Sequence, residues 1–169
     1  RYGNVMFSRG SILPLLIVWH KKKQSFQITD KRMTRFNIEL NEAINLSILC
    51  LQNMLGGELF VPKLKSYKII DLAKAIDEKC KIKFIGMRPG EKLHEEMISS
   101  IDSLKTYELN KLFAIVDPLN FTSNKKLFKN ITKKYKKLKK MKSYYSYNSF
   151  DNEEYLNKTE LKKIVKKYL

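Results

Sequence analysis

The spacing of apolar residues predicts four helices, at about 14–23, 40–51 and 69–76 and from about 157 onward. In the second and third segments, apolar residues recur at the three- and four-residue spacing of an amphipathic helix. Pro14 suits the first turn of a helix, and Gly56 with Gly57 supplies a stop after the second one. Asn157 and Glu160 stand three residues apart, as in a capping box that begins a helix.

Short apolar runs bounded by turn residues predict strands between these helices. They lie at 1–6, 26–29, 33–38, 58–61, 82–85 and 112–116. Pro62 would end the fourth strand, and the loop at 88–92 would lead into a short helical or extended piece through Met97. Helices and strands alternate along the chain, which is typical of an α/β fold.

Composition adds a positive charge that is concentrated in one part of the chain. The 169 residues are 43% apolar and include nine Phe and nine Tyr, which favours a folded protein. The net charge is +17, and residues 120–169, with 15 basic and 4 acidic side chains, contribute +11 of it. We interpret 124–142 as a solvated surface helix or a poorly ordered arm, followed by a polar-aromatic loop at 144–150. No specific nucleic-acid partner is therefore expected.

Other patterns narrow the class of protein. No apolar run approaches the roughly 20 residues that a membrane-spanning helix needs, so no membrane span is expected. The apolar run 12–19 precedes its lysines, whereas a secretory signal carries its charges first, and a cytoplasmic protein is therefore expected.

Cys50 and Cys80 form no CxxC motif and are interpreted as reduced structural residues. His20 and His94 lack metal-ligand spacing and are expected to cap or cover rather than catalyse, so no metal site is expected.

The chain has 29 lysines and only five arginines, all of them within the first 88 residues. They are Arg1, Arg9, Arg32, Arg35 and Arg88. In a chain that uses lysine so widely, arginine is the residue that is hard to replace, because its planar fork grips a phosphate or carboxylate with two parallel hydrogen bonds. We therefore interpret the arginines as candidate anion-binding residues, with the exception of Arg1 and Arg32, which we interpret as structural.

Six motifs occur along the chain in the order RYGNV, SRGS, ITDKRMTRF, GGELFVPK, KIIDLA and IGMRPGEKLHEEMI. Together they resemble the C-terminal half of the extended short-chain dehydrogenase/reductase superfamily, above all the inverting UDP-N-acetylglucosamine 4,6-dehydratases and related polysaccharide-biosynthesis proteins. The ending YNSFDNEEYLNKTELKKI is similar to that family's C-terminal segment.

This resemblance implies an α/β fold made of the last strands of a Rossmann-type sheet plus the smaller substrate-binding α/β domain. It also implies a division into three parts. They are a substrate-binding portion at 1–117, a lysine-rich variable arm at 118–146, and a C-terminal segment with a closing helix at 147–169.

The resemblance further implies a binding site for UDP-N-acetylglucosamine or a related UDP-sugar. Arg35 and Arg88 would converge on the diphosphate from two loops, with Glu91 near the ribose or orienting Arg88. The segment that would run along the uracil, using its backbone groups, consists of Gln27, Ile28 and Thr29.

Around the sugar and the cofactor, the resemblance implies further contacts. Asn4 would offer its amide to the sugar or the diphosphate, and Arg9 with Ser11 would shape the sugar pocket. Tyr2 and Gly3 would lie beside the nicotinamide ring of a bound NADP.

In the family that the chain resembles, the catalytic motifs precede the RYGNV segment. There is no glycine-rich GxxGxxG turn in this chain, and the match to TyrxxxLys at Tyr135 with Lys139 lies in the basic arm and is interpreted as accidental. The resemblance therefore implies a substrate-binding half without catalytic residues, inactive alone, whose missing N-terminal half supplies the main NADP-binding loop of a homo-oligomeric enzyme. Phe7 and Asn37 depart from the family pattern, and Phe7 is expected to narrow the sugar pocket.

Three other interpretations stay open at this point. A UDP-sugar 4-epimerase of the same superfamily would share the binding motifs, because product identity is decided largely in the missing half. A non-enzymatic basic module could use the lysine-rich arm to contact nucleic acid or acidic lipid. A truncated or decayed gene product would have no function of its own.

Overall fold

The computed structural model describes residues 1–54, 57–116 and 139–169. The α-helices are α1 Ile12–Lys21, α2 Leu40–Asn53, α3 Ile69–Ile76 and α4 Lys158–Lys166, and a 3₁₀ helix spans Asp102–Lys105. The strands are β1 Asn4–Val5, β2 Phe26–Ile28, β3 Thr34–Ile38, β4 Glu58–Pro62, β5 Ser66–Lys68, β6 Ile82–Phe84, β7 Glu96–Ile98, β8 Thr106–Glu108, β9 Leu112–Val116, β10 Lys139–Lys140 and β11 Tyr147–Asn148.

The chain forms two compact units, each made of three segments. The first unit consists of Arg1–Tyr2, Asn41–Lys63 and Glu96–Tyr147. The second unit consists of Gly3–Leu40, Leu64–Glu95 and Asn148–Leu169.

The second unit is built around two small sheets and three helices. β3 lies between β1, which runs parallel to it, and β5, which runs antiparallel, while β2 and β6 form a separate parallel pair. Its core is a continuous apolar cluster that includes Leu13, Leu16, Phe26, Ile28, Leu72, Leu161 and Val165. The start of α4 is fixed by a full capping box, in which the Asn157 side chain accepts from the Glu160 amide and the Glu160 carboxylate accepts from the Asn157 amide.

The first unit contains an antiparallel sheet in the order β10-β8-β9-β4. All five residues of β9 are buried, and the buried face of α2 packs on this sheet through Leu46. The opposite face of α2 leaves Ile44, Ile48 and Leu51 exposed.

The predicted helices and strands are confirmed, with shifts at their ends. β1 covers only Asn4–Val5 of the predicted 1–6, and the piece before Met97 is extended, as β7. Cys50 and Cys80 are free thiols, each partly buried beside a core, and burial raises both of their pKa values. Both observations support their interpretation as structural residues.

The elements that the pattern missed are all short. They are β5, the 3₁₀ helix, β8, β10 and β11. Most of the predicted arm at 124–142 lies outside the described residues. At its end, Lys139–Lys140 form a strand paired with β8 and Met141 is buried, so pairing rather than helical periodicity sets the backbone there.

Among the described residues, no helix has both the length and the apolar character that crossing a membrane requires.

Candidate functional site

A cleft of about 310 Å³ opens in the second unit. Its walls come from β1, the start of α1, β2 with the residue after it, β3, β5 and the loop at 85–91. Eight of the nine residues predicted to bind substrate line it, namely Asn4, Ser11, Gln27, Ile28, Thr29, Arg35, Arg88 and Glu91. The ninth, Arg9, is exposed and does not line this cleft. The structure therefore brings together residues that lie up to 87 positions apart in the sequence.

The Arg88–Glu91 segment is a tight turn that presents Arg88 to the cleft. The Glu91 amide donates to the Arg88 carbonyl at 3.0 Å, and Gly90 adopts a φ of +80°, which an L side chain rarely allows. One Glu91 carboxylate oxygen accepts from the Arg88 amide at 3.1 Å, and the other accepts from the Thr29 hydroxyl at 3.0 Å. Glu91 thus closes its own turn and ties the turn to the end of β2.

The Arg88 guanidinium makes no hydrogen bond or ion pair with the residues that the structure describes. Its backbone is held by Glu91, while its side chain remains exposed at the wall of the cleft. A fixed backbone with an uncommitted guanidinium is well suited to bind a phosphate with two parallel hydrogen bonds.

Arg35 is held much more tightly. Its Nη1 donates to the carbonyls of Thr34 and Leu93, at 2.7 and 3.1 Å, and its Nη2 donates to the Lys92 carbonyl at 2.8 Å. Its Nε faces a Glu95 carboxylate oxygen at 3.4 Å, and only 13% of the side chain is exposed. A guanidinium has five N–H groups, and these four contacts use four of them. Among the described residues, one N–H on Nη2 is therefore left for a ligand.

The backbone of β2 offers hydrogen-bonding groups along one edge. The Phe26 amide donates to the Lys81 carbonyl, and the Ile28 carbonyl accepts from the Ile85 amide, so these two residues face β6. The backbone N–H and C=O groups of successive residues point to opposite edges of a strand. Those of Gln27 therefore point away from β6. No strand of the described residues pairs there.

Ser11 stands at the N-cap position of α1, yet its side chain makes no capping hydrogen bond. Its Oγ is buried and has no partner among the described residues, although Ser11 lines the cleft. A buried polar atom without a partner is costly, so a ligand hydroxyl or phosphate is a natural partner for it. Leu15, Trp19 and Ile85 add apolar surface to the same cleft.

The residues predicted to lie beside the nicotinamide do not line this cleft. A Cβ on Gly3 would lie 2.6 Å from the Cβ of Phe36, so packing on β3 alone accounts for a glycine there. Tyr2 is 47% exposed. Contrary to the prediction, Phe7 does not line the cleft either: its ring stacks on Tyr168, with the ring centroids 4.3 Å apart.

His94 belongs to a cluster of polar side chains. Its Nδ1 lies 2.7 Å from the Thr34 hydroxyl, which in turn lies 2.7 Å from the Ser149 hydroxyl. Its ring lies against Phe150, with the ring centroids 4.6 Å apart. Burial, assisted by the positive charge of Arg35, lowers the pKa of His94.

Tyr67 is a cleft residue that the sequence pattern missed. It lies on β5, directly opposite Arg35 in the antiparallel pair, and it is 2% exposed. A three-residue strand is too short for a periodicity signal, so the available signal was only a tyrosine directly before the amphipathic segment 69–76.

Comparisons with known proteins identify the family. Residues 1–117 match the family model described as polysaccharide biosynthesis protein. The chain belongs to this family. It is 46% identical over 123 residues to the UDP-N-acetylglucosamine 4,6-dehydratase (inverting) of Campylobacter jejuni, covering 72% of this chain and 36% of that protein. It is 41% identical over 119 residues to the UDP-glucose 4-epimerase of Rickettsia canadensis, covering 68% and 35% respectively.

A solved structure supports the same assignment over the whole chain. The X-ray structure of Pen from Bacillus thuringiensis superposes with a TM-score of 0.81 and 34% identity, covering 99% of this chain and 48% of Pen. The predicted fold class, the C-terminal part of an extended short-chain dehydrogenase/reductase, is thereby confirmed. The chain described here spans about a third of the length of these two relatives from Campylobacter jejuni and Rickettsia canadensis.

Proposed function

We propose that this chain is the UDP-sugar-binding part of a C5-inverting UDP-N-acetylglucosamine 4,6-dehydratase that acts in the biosynthesis of a surface polysaccharide or glycan. The observation that carries the proposal is the convergence of eight predicted substrate-binding residues on one cleft. The similarity to the Campylobacter jejuni dehydratase supports the choice of reaction.

The cleft offers a distinct group for each part of a UDP-sugar. The free edge of β2 at Gln27 can pair with the donor and acceptor groups of uracil. Arg88, with the remaining N–H of Arg35, can hold the diphosphate, because both guanidinium groups are positively charged and the diphosphate is negatively charged. Asn4 and the unpaired Ser11 hydroxyl can then hydrogen-bond the sugar.

NADP is part of this proposal only for the intact enzyme, because the residues of this chain do not form its phosphate site. A glycine-rich turn, which lets backbone amides approach a pyrophosphate, does not occur in the 169 residues. The space beside Gly3 is filled by Phe36, so that glycine is not evidence of a cofactor cradle. NADP would supply oxidation and reduction at the sugar, and the chain described here would bind and orient the substrate.

Calorimetric titration of the purified chain tests the proposal. UDP-N-acetylglucosamine and UDP should bind saturably, and Arg88→Ala should weaken both about tenfold, because a charge-assisted contact to the diphosphate is lost. Arg32→Ala is the matched control, since Arg32 pairs with Asp30 and does not line the cleft. ADP and inorganic pyrophosphate should bind more weakly than UDP.

Two results would contradict the proposal. The first is the absence of saturable UDP binding. The second is equal affinity for UDP, ADP and pyrophosphate, which would show generic anion binding by a lysine-rich chain.

The resemblance to the Rickettsia canadensis enzyme favours one second candidate, the substrate-binding part of a UDP-glucose 4-epimerase. The two candidates differ in the sugar and in the product. Stronger binding of UDP-glucose than of UDP-N-acetylglucosamine would favour the epimerase. Analysis of the product formed when the chain is joined to a cofactor-binding half would then decide the reaction.

A further inference from the structure

The hydroxyl of Tyr67 has no role in holding the described fold together. The ring belongs to the apolar core of the second unit, where it packs among residues such as Met33, Ile69 and Leu72. Phenylalanine would supply the same packing. The hydroxyl, in contrast, makes no hydrogen bond with any residue that the structure describes. The residue as a whole is only 2% exposed.

Among the described residues, the fully buried side-chain oxygens without a partner belong to Ser11 and Asn37, so the Tyr67 hydroxyl keeps a small exposed surface. Tyr67 lines the cleft, so a bound molecule is the natural source of the missing partner. Burial raises the pKa of the phenol, which keeps the hydroxyl protonated and able to donate.

The position of Tyr67 indicates which part of a ligand it would meet. In the antiparallel pair of β3 and β5, Tyr67 is directly opposite Arg35, so both side chains project from the same face. Arg35 carries a positive charge and one uncommitted N–H at that end of the cleft. A group placed there would meet two N–H or O–H donors beside a positive charge, and phosphate oxygens match these donors because they accept and carry negative charge.

We propose that the Tyr67 hydroxyl donates a hydrogen bond to a phosphate oxygen of the bound nucleoside diphosphate, beside Arg35. The proposal rests on the proposed function and adds a specificity-determining contact to it. Tyr67 thus contributes to affinity for the diphosphate rather than for the base or the sugar.

The test removes only the hydroxyl, by Tyr67→Phe, and measures binding of UDP, UDP-N-acetylglucosamine and uridine by calorimetry. The variant should bind UDP and the nucleotide sugar about tenfold more weakly, the loss expected for a hydrogen bond to a charged acceptor, while its affinity for uridine stays unchanged. Tyr144→Phe is the matched control, because Tyr144 is 72% exposed and does not line the cleft.

A second measurement does not depend on ligand. In the absence of nucleotide, the midpoint of thermal unfolding of Tyr67→Phe should equal that of the wild type, since no hydrogen bond within the described part of the protein is lost. A clearly lower midpoint would show that the hydroxyl has a partner within the protein, and would overturn the assignment.

The outcomes separate the two proposals. If the wild type binds UDP and Tyr67→Phe binds it equally well, only the Tyr67 contact is overturned. If UDP and uridine weaken equally, the hydroxyl acts on the nucleoside and the phosphate assignment is wrong. If the wild type binds no UDP, the proposed function fails, and the Tyr67 contact fails with it.

Discussion

The Thr29 hydroxyl donates to a Glu91 carboxylate oxygen at 3.0 Å, across 62 residues of sequence. The Met33 sulfur lies at the same distance from that hydroxyl, but a carboxylate is the stronger acceptor for its single proton. Because the other Glu91 oxygen holds the Arg88 amide, this contact connects the end of β2 to the turn that presents Arg88. The two parts of the cleft predicted to hold uracil and diphosphate are thus fixed relative to each other.

Thr29→Val should therefore weaken UDP binding without touching the diphosphate directly. The change is nearly isosteric and removes the hydrogen bond to Glu91, so the turn at 88–91 loses one restraint. We expect about a fivefold loss of affinity for UDP, measured by calorimetry. Glu91→Gln should cause a similar or larger loss, because it removes the negative charge and leaves one acceptor oxygen for the two donors, the Thr29 hydroxyl and the Arg88 amide.

A double-mutant cycle checks that the two residues act through each other. If the hydrogen bond is the common cause, the double variant should be little worse than Glu91→Gln alone. Glu153→Gln, which changes an exposed carboxylate outside the cleft, should bind UDP as the wild type does. Additive losses in the double variant would show that Thr29 and Glu91 act separately.

The turn at Arg88 could be predicted from the sequence because its determinants are local. Proline fixes φ at the second position of such a turn, and glycine at the third accepts the positive φ that is observed at Gly90. The capping box at Asn157 and Glu160 is equally local, and it was predicted for the same reason. Amphipathic helices such as α3 carry their own signal in the spacing of their apolar residues.

The state of Arg35 could not be predicted, because two of its three carbonyl partners, Leu93 and Lys92, lie in a loop almost 60 residues away. Residue type suggests that an arginine binds an anion, but it does not reveal how many N–H groups the fold already uses. Likewise, the strand that carries Tyr67 exists because β3 pairs with it, and such pairing leaves no trace in a three-residue segment.

Charge-conserving variants should separate the roles of Arg35 and Arg88. Arg35→Lys keeps the charge but cannot reproduce the hydrogen bonds to three backbone carbonyls, so it should lower the free energy of unfolding by about 2 kcal/mol. Arg88→Lys should leave unfolding unchanged, since its guanidinium has no partner in the described part of the chain. Urea denaturation, followed by tryptophan fluorescence, measures both.

Binding should show a different order of effects. Arg88→Lys should weaken UDP binding about five- to tenfold, because an ammonium group cannot form two parallel hydrogen bonds to a phosphate. An Arg88→Lys variant that unfolds at lower urea but binds UDP normally would reverse the assignment of these two arginines.

Gly3→Ala should destabilise the fold in the absence of any cofactor. The added Cβ would lie 2.6 Å from the Cβ of Phe36, which is fully buried on β3 and cannot move aside as a flexible side-chain end could. Overpacking of this kind costs about 1–3 kcal/mol, and Gly3→Val should cost more than Gly3→Ala. Urea denaturation of both variants without nucleotide measures the effect, and unchanged stability would point instead to a role for Gly3 outside the fold.

The low pKa of His94 makes the stability of the second unit depend on pH in a defined direction. Burial and the charge of Arg35 lower this pKa in the folded state below its ordinary value of 6.5, so the unfolded chain binds the proton more readily. The free energy of unfolding should therefore fall as the pH drops from about 6.5 toward the lowered pKa of the folded protein. Above about pH 6.5 it should not change further through His94. His94→Gln should remove this contribution.

Urea denaturation at pH 7.5 and pH 5.5 measures the contribution as a difference between proteins. Carboxylates also respond to acid, but they respond equally in the wild type and the variant, so the wild type should lose more stability than His94→Gln over this interval. His20→Gln is the comparison variant, because His20 lies outside the cluster of His94, Thr34 and Ser149 and faces the Asp77 carboxylate, with 3.7 Å between its Nδ1 and an Asp77 oxygen. Equal losses in the wild type and His94→Gln would show that protonation of His94 is not coupled to folding.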